Sequence, residues 1–204
     1  MYLSVERTLP WLVTAVLTDL PAIDETDAEL VRLAQQDLRK FTDLYERYVQ
    51  RVYRYLLVRV GNVADAEDLT SQTFMAALEN LHRYKGERPF LAWLFGIAKN
   101  KRADFYRQQK PDVELETAVS LVDTDDVPAD EQVARRLQIE TVSRKLQAIA
   151  PDRAEALSLR LFGNMEIPEI AQFMGKQEPA VRMLIHRGLR DLQAQLNLEE
   201  EELS

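Results

Sequence analysis

Residues Phe90 to Lys110 read FLAWLFGIAKNKRADFYRQQK. Phe90, Leu94, Ile97, Ala98 and Phe105 recur at helical spacing, so the stretch is a helix with one apolar face. Its other face carries Lys99, Asn100, Lys101, Arg102, Arg107 and Lys110. Just upstream lies HRYKGERP, His82 to Pro89, a short basic loop containing an aromatic. A basic helix entered from a basic, aromatic loop suits nucleic acid: the charges meet phosphates and the rings meet unstacked bases. The same pattern also fits an amphipathic helix with a solvated basic face. The rest of the chain has to separate the two.

Composition narrows the field. The chain has 204 residues, which suggests one or two domains, and 46% are apolar, enough for real cores. There is no cysteine, so disulfides, thiolate catalysis and Cys-ligated zinc are excluded. The first twenty residues lack a basic segment followed by a clean apolar run, and no run reaches membrane-spanning length. A cytoplasmic protein is expected, with no membrane insertion of its own. The net charge of -8 argues against nucleic acid until its distribution is read. Residues 1–29 carry -5, residues 30–110 +6, residues 111–133 -8, residues 134–196 +3 and residues 197–204 -4. Two basic blocks are separated and flanked by acidic segments, a pattern of nucleic-acid surfaces beside tails or linkers.

The helical signals run in order. WLVTAVLTDL, near the N-terminus, fits one short helix, packed on the body or offered to a partner. Thr26-Asp27-Ala28-Glu29 is a capping box that starts a helix. Phe41 to Val60 steps its apolar residues by three or four, and Gly61 ends it. Asp65 to Leu81 forms a third helix with Asp65, Glu67 and Asp68 in its first turn, where the helix dipole favours acid. After the Phe90 helix come residues 111–133, with eight acids and no base, which read as an extended linker. Val133 to Ile149 is amphipathic. Asp152 is expected to cap a helix running to Phe162, with Gly163-Asn164 as the turn. Ile167 to Met174 is a short helix ended by Gly175, and a last helix begins at Pro179. Val181, Leu184, Ile185, Leu189, Leu192 and Leu196 form its apolar stripe, with Arg182, His186, Arg187 and Arg190 outside. A short helix, a tight glycine turn and a helix with a basic outer face make a helix-turn-helix. No strand-like alternation occurs, so the fold class is all-α: two small helical domains joined by an acidic flexible linker, the second a helix-turn-helix.

At this point the chain resembles an alternative sigma factor of the extracytoplasmic-function (ECF) group, sigma-70 family. DAEDLTSQTFMAALENLHRY, Asp65 to Tyr84, is similar to the family's polymerase-binding helix. The Phe90 helix is similar to the promoter-reading helix that follows it, with Trp93, Ile97, Ala98 and Asn100 at matching places. LSLRLFGNMEIPEIAQFMGKQEPAVRMLIHRGLRDLQ, Leu157 to Gln193, is similar to its helix-turn-helix. Two features depart from the pattern. Glu166 and Gln177 stand where Ser or Thr usually caps, and Arg182-Met183-Leu184 replaces the common Lys-Ser-Arg.

The resemblance implies roles by residue, and no catalytic, metal or cofactor site. Residues 1–26 are an extension of unknown role. Residues 27–110 bind core RNA polymerase, on the clamp of the largest catalytic subunit, through Asp65, Glu67, Asp68, Gln72 and Phe74. The same domain meets and melts the minus-ten element with His82, Arg83, Tyr84, Lys85, Arg88, Phe90, Trp93, Lys99, Asn100, Arg102 and Arg107. Trp93 has two open readings, a stacking surface or a core residue. Residues 111–133 are the linker, 134–196 bind the minus-thirty-five element, and 197–204 are an acidic tail. In the second domain Lys176, Gln177, Glu178, Arg182 and His186 lie nearest the bases, and Arg187 and Arg190 nearest phosphate. Promoter DNA, core polymerase and an anti-sigma factor are the implied partners, and a stress- or envelope-response regulon the implied setting. An enzyme is not expected: His82 and His186 lie in separate domains, and no HExxH, Walker or nucleophile motif occurs. A polymerase-independent regulator would need a dimerisation seam, and no heptad repeat supplies one. Two basic surfaces on an acidic tether can also fold against each other, so the free chain is expected to bind promoter DNA poorly.

Overall fold

The computed structural model describes the backbone of residues 27–108 and 140–202, with side chains through residue 195. The N-terminal apolar segment, the Thr26 cap, Lys110, the acidic linker, the start of the Val133 helix, Leu196 and the acidic tail lie outside the described residues. Every described element is helical. Helix α1 spans Asp27–Gln36, and Asp37 caps a 3-10 turn, Leu38–Lys40, by accepting from the Arg39 N–H at 3.0 Å. Helix α2 spans Phe41–Val60. Gly61 ends it at φ 78°, a left-handed conformation that costs a Cβ-bearing residue about 1 kcal/mol or more. Helix α3 spans Val63–Asn80 and starts two residues earlier than the acidic turn suggests, because the Asn62 side chain accepts from the Asp65 N–H. A 3-10 turn, Leu81–Arg83, leads to the basic loop, and α4 spans Phe90–Gln108.

In the second domain α5 covers 140–147 and α6 spans Pro151–Leu157. Asp152 is not the cap of α6. Ala150 holds that position with Pro151 in the first turn, where no amide hydrogen is needed, and Asp152 instead pairs with Lys176 at 3.0 Å. The helix also does not run on regularly to Phe162. Ser158–Phe162 is a π turn, closed by the Gly163 N–H on the Ser158 carbonyl at 2.9 Å. Helix α7 spans Ile167–Met174, Gly175 turns the chain at φ 63°, and α8 spans Glu178–Glu202. These last two form the helix-turn-helix.

The domains do not stand apart. Helix α2 packs on the π turn, α4 packs on α7, and the buried apolar cluster runs through both. Phe95 of α4 is fully buried against Gly163, where a Cβ would come within 2.9 Å of its ring. Polar groups cross the same seam. Arg51, only 5% exposed, donates from Nε to the Gly163 carbonyl at 2.9 Å and from Nη2 to the Asn164 carbonyl at 2.5 Å. Burial disfavours its charge and lowers its pKa, and the two carbonyls offset part of that cost.

Candidate nucleic-acid and polymerase interfaces

Helix α4 has two polar stripes, and the structure sends them to different places. One stripe opens onto a cleft of about 370 Å³ between α3 and α4. Arg83, Trp93 and Asn100 line it together with Asn80, Lys101 and Asp104. The other stripe faces the second domain. Lys99 holds its Nζ 5.3 Å from the Phe173 ring centre, and Arg102 donates to Glu155 at 3.1 Å. The eleven candidates for the minus-ten element are therefore not one surface. Arg83, Trp93 and Asn100 converge in the cleft, and Lys99 and Arg102 lie in the seam.

The aromatic candidates separate as well. Phe90 is buried, with its ring centre 5.7 Å from Tyr48, 5.6 Å from Tyr84 and 5.5 Å from Trp93. It is a core residue that supports the others and offers no free face. Trp93 packs on Tyr84 at 5.2 Å and also lines the cleft, so it is partly core and partly at the surface. Tyr84 is half-buried and donates its hydroxyl to the Arg88 carbonyl at 2.5 Å, which closes the basic loop on itself. Gln35 of α1 donates to the Leu81 and Tyr84 carbonyls, both at 2.9 Å, and pins the start of that loop. His82, Arg83, Lys85 and Arg88 are exposed around it. Arg107 is exposed too and pairs with Asp104 one turn back on the cleft rim.

On α3 the acidic turn is presented outward. Glu67 and Asp68 are exposed, and Gln72 donates to Asp68 at 2.6 Å. Asp65 is half-buried, and its burial, with the Asp68 carboxylate beside it, pushes its carboxyl above the usual range. Phe74 does not reach the surface. It is 4% exposed and meets Tyr45 and Phe41 edge-on at 4.9 and 6.4 Å, so it anchors the helix from inside. The same helix does expose Met75 at 63% and Leu78 at 37%, about two and three turns beyond Asp68. The helical period that places Ala66, Leu69 and Ala77 inside already puts these two outside, which is the signal the sequence reading passed over.

On α8, Val181, Ile185 and Leu192 are buried as the stripe requires, and Leu184 and Leu189 are half-buried. Arg182, His186, Arg187 and Arg190 are exposed on the outer side. Gln177 is exposed and Lys176 is half-buried. Glu178 and Arg182 hold each other one turn apart at 2.8 Å. Met183, 50% exposed, sits beside Arg182 on this basic face.

Residues 44–111 match the family model Sigma-70 region 2, and residues 139–192 match Sigma-70, region 4. The ECF RNA polymerase sigma factor BldN of Streptomyces coelicolor is 33% identical over 180 residues, covering 84% of this chain and 67% of BldN. The RNA polymerase sigma factor CarQ of Myxococcus xanthus is 32% identical over 166 residues, covering 78% of this chain and 92% of CarQ. This chain belongs to the ECF group of the sigma-70 family. It is a sigma factor of transcription initiation. A solved structure of CnrH in complex with the cytosolic domain of CnrY superposes on 85% of it at a TM-score of 0.67, with 26% identity and 99% of CnrH covered.

The sigma factor manages without the usual hydroxyl cap on α7. The Glu166 N–H donates to the Glu169 carboxylate at 2.7 Å, and the Glu166 carboxylate pairs with Arg160 at 2.9 Å. The helix start is held from both sides. Among the described residues no cluster of His, Asp or Glu could hold a metal ion, and no helix is long and apolar enough to cross a membrane.

Proposed function

We propose that this sigma factor uses the α3–α4 cleft to hold an unstacked minus-ten base and the outer face of α8 to read the minus-thirty-five element. The convergence of Arg83, Trp93 and Asn100 in one cleft carries the reading. Trp93 offers a ring face, Asn100 a donor and an acceptor for a base edge, and Arg83 and Lys101 charge for the flanking phosphates. The acidic turn of α3, with Met75 and Leu78 beyond it, docks on the clamp of the largest catalytic subunit of core polymerase. Acids in the first turn keep their favourable place at the helix dipole while meeting a basic partner, and the two apolar side chains add burial. In this reading residues 27–110 bind polymerase and the minus-ten element, and 134–196 bind the minus-thirty-five element. The sigma factor works in the cytoplasm as a non-enzymatic subunit. An anti-sigma factor is a further partner: a sigma factor of the same fold, RpoE of Bartonella quintana, was solved with the anti-sigma factor NepR, at a TM-score of 0.58 and 18% identity.

Sequencing the transcripts made by core polymerase reconstituted with this chain tests the reading and defines the regulon, expected to be a stress or envelope response. One motif pair at fixed spacing upstream of the start sites is the expected result. Loss of the minus-ten preference in Asn100→Ala, with the start sites otherwise unchanged, places the base in the cleft. An unchanged preference refutes that placement.

A further inference from the structure

At the centre of the seam a carboxylate of the second domain sits in a basic cradle of the first. Glu155, on α6, is 6% exposed. Its Oε1 accepts from the Tyr55 hydroxyl at 2.7 Å. Its Oε2 accepts from Arg102 Nη2 at 3.1 Å and lies 3.5 Å from Arg59 Nη2. Arg102 also donates from Nη1 to the Tyr55 oxygen at 3.0 Å, so Tyr55 and Arg102 are locked to each other. The cradle belongs wholly to α2 and α4. Its two guanidiniums face one carboxylate, and Arg59 Nε, buried, has no hydrogen-bond partner among the described residues. It therefore offers more donor capacity than Glu155 takes up.

We propose that Tyr55, Arg59 and Arg102 form a phosphodiester-binding site, for which Glu155 is a built-in competitor, so that domain closure and DNA binding along α4 exclude each other. The inference rests on the reading of α4 as the minus-ten helix. A phosphodiester and a carboxylate both carry one negative charge on two equivalent oxygens, the pattern that paired guanidiniums recognise. The cradle lies on the same helix as the cleft, on its opposite face. A strand whose base enters the cleft reaches Arg102 by passing round α4, roughly half its circumference. The second domain blocks that path, because Phe173 meets the exposed Lys99 at the edge of the seam and Glu155 fills the cradle.

The full chain suffices for the test. It has no native cysteine, so Ser71→Cys and Ala180→Cys, both at exposed positions, accept a donor and an acceptor dye, one in each domain. Energy transfer reads closure. In separate samples without these dyes, anisotropy of a fluorescein-labelled mixed-sequence DNA strand reads binding at one fixed salt concentration. Glu155→Gln is expected to lower the transfer and raise affinity by roughly tenfold, since it leaves two buried guanidiniums uncompensated. Gly163→Ala opens the seam sterically with no change of charge, and it is expected to raise affinity likewise. Adding Arg102→Gln to either variant is expected to keep the chain open and erase the gain. A methylphosphonate strand, with an uncharged backbone, should show no gain.

Unchanged transfer in both Glu155→Gln and Gly163→Ala overturns the closure. If opened chains gain affinity and keep it in the Arg102→Gln background, the phosphate site is wrong. A gain in affinity for an oligoglutamate peptide but not for the strand assigns the cradle to an acidic protein partner and overturns the DNA assignment. Arg83→Ala with Asn100→Ala in the opened chain separates the two claims. If that pair leaves strand binding unchanged, the minus-ten reading itself has failed. If it weakens binding while Arg102→Gln does not, only the cradle has failed.

Discussion

Replacing Arg182 by alanine tests how the helix-turn-helix divides its work, and the structure sets the size of the effect. Arg182 leaves a partner when it turns to DNA: Glu178 holds it at 2.8 Å, with the two side chains 55% and 42% exposed. An exposed pair one helical turn apart is worth ~0.4 kcal/mol. A bidentate contact to a guanine edge is worth ~1–3 kcal/mol. The base contact wins, and the net loss on Arg182→Ala is roughly 0.6–2.6 kcal/mol, about 3- to 80-fold. That loss falls on one base pair of the upstream element. Glu178→Gln frees the guanidinium and should tighten binding about twofold. Arg190→Ala, further along the exposed face, should weaken all upstream sequences alike, as loss of a phosphate contact does. The assay is competition binding of reconstituted polymerase on a library of upstream elements, with enrichment scored position by position. If Arg182→Ala and Arg190→Ala produce the same uniform loss, Arg182 does not read a base.

Three further outcomes are expected. Asp65→Lys with Asp68→Lys should abolish co-purification with core polymerase while the helical circular dichroism stays intact, because both changes lie on or near the surface of α3; retained binding would move the docking face elsewhere. Met183 stands exposed beside Arg182, and a thymine methyl is its natural apolar contact, worth ~0.8 kcal/mol or about fourfold. Uracil in place of thymine in the upstream element should cost that factor in the wild type and nothing in Met183→Ala; an equal cost in both removes Met183 from base reading. Burial alone would raise the Glu155 carboxyl, but the Arg102 and Arg59 charges and the hydrogen bonds from Tyr55 and Arg102 outweigh it and hold it below its usual value of 4.5. Its stabilisation of the closed form is therefore present above about pH 4.5 and is lost as pH falls through the lower folded value. Inter-domain energy transfer should fall in that acid range, and Glu155→Gln should remove this part of the pH dependence.

The helices were legible because their signals are local. Apolar spacing and Gly61 bound α2 from neighbouring residues alone, and Pro168, Gly175 and Pro179 bracket the helix-turn-helix the same way. Errors arose where two local signals compete. Asp152 is a good cap, but Pro151 is a better first-turn residue, and the cap moved to Ala150. The π turn at Ser158–Phe162 has no local signal and exists beside a tertiary contact, Arg51 on the Gly163 and Asn164 carbonyls. The candidate site divides similarly. Basic residues on α4 could be counted from the sequence, but not sorted. Lys99 and Arg102 are three residues apart and share a face, whereas Asn100 and Lys101 between them turn to the cleft, and only the position of the second domain gives the two stripes different meanings. Phe74 and Phe90 failed as surface residues for a related reason. An aromatic at a contact position of a motif and an aromatic in a core read alike until the neighbouring helix is in place.

The chemistry of the seam explains how it can close firmly and still open. An apolar interface of the same size would hold through burial, and nothing in solution could replace what it lost on parting. Here part of the contact is ionic. Taking Glu155, Arg59 and Arg102 out of water costs several kcal/mol per ion, and their mutual attraction returns about the same amount. The cluster thus adds little net stability, but it selects one docking geometry, since a misplaced carboxylate would leave two buried cations unpaired. The remaining hold comes from the apolar cluster the two domains share, with Phe95 against Gly163 in it, and from Arg51 on its two carbonyls. On opening, water repays the ions their hydration, and an incoming phosphate repays it more fully while keeping the guanidiniums paired. The force that opens the domains has to match the apolar remainder. If polymerase docks on α3 as proposed, the α2 and α4 cradle stays free to make that exchange.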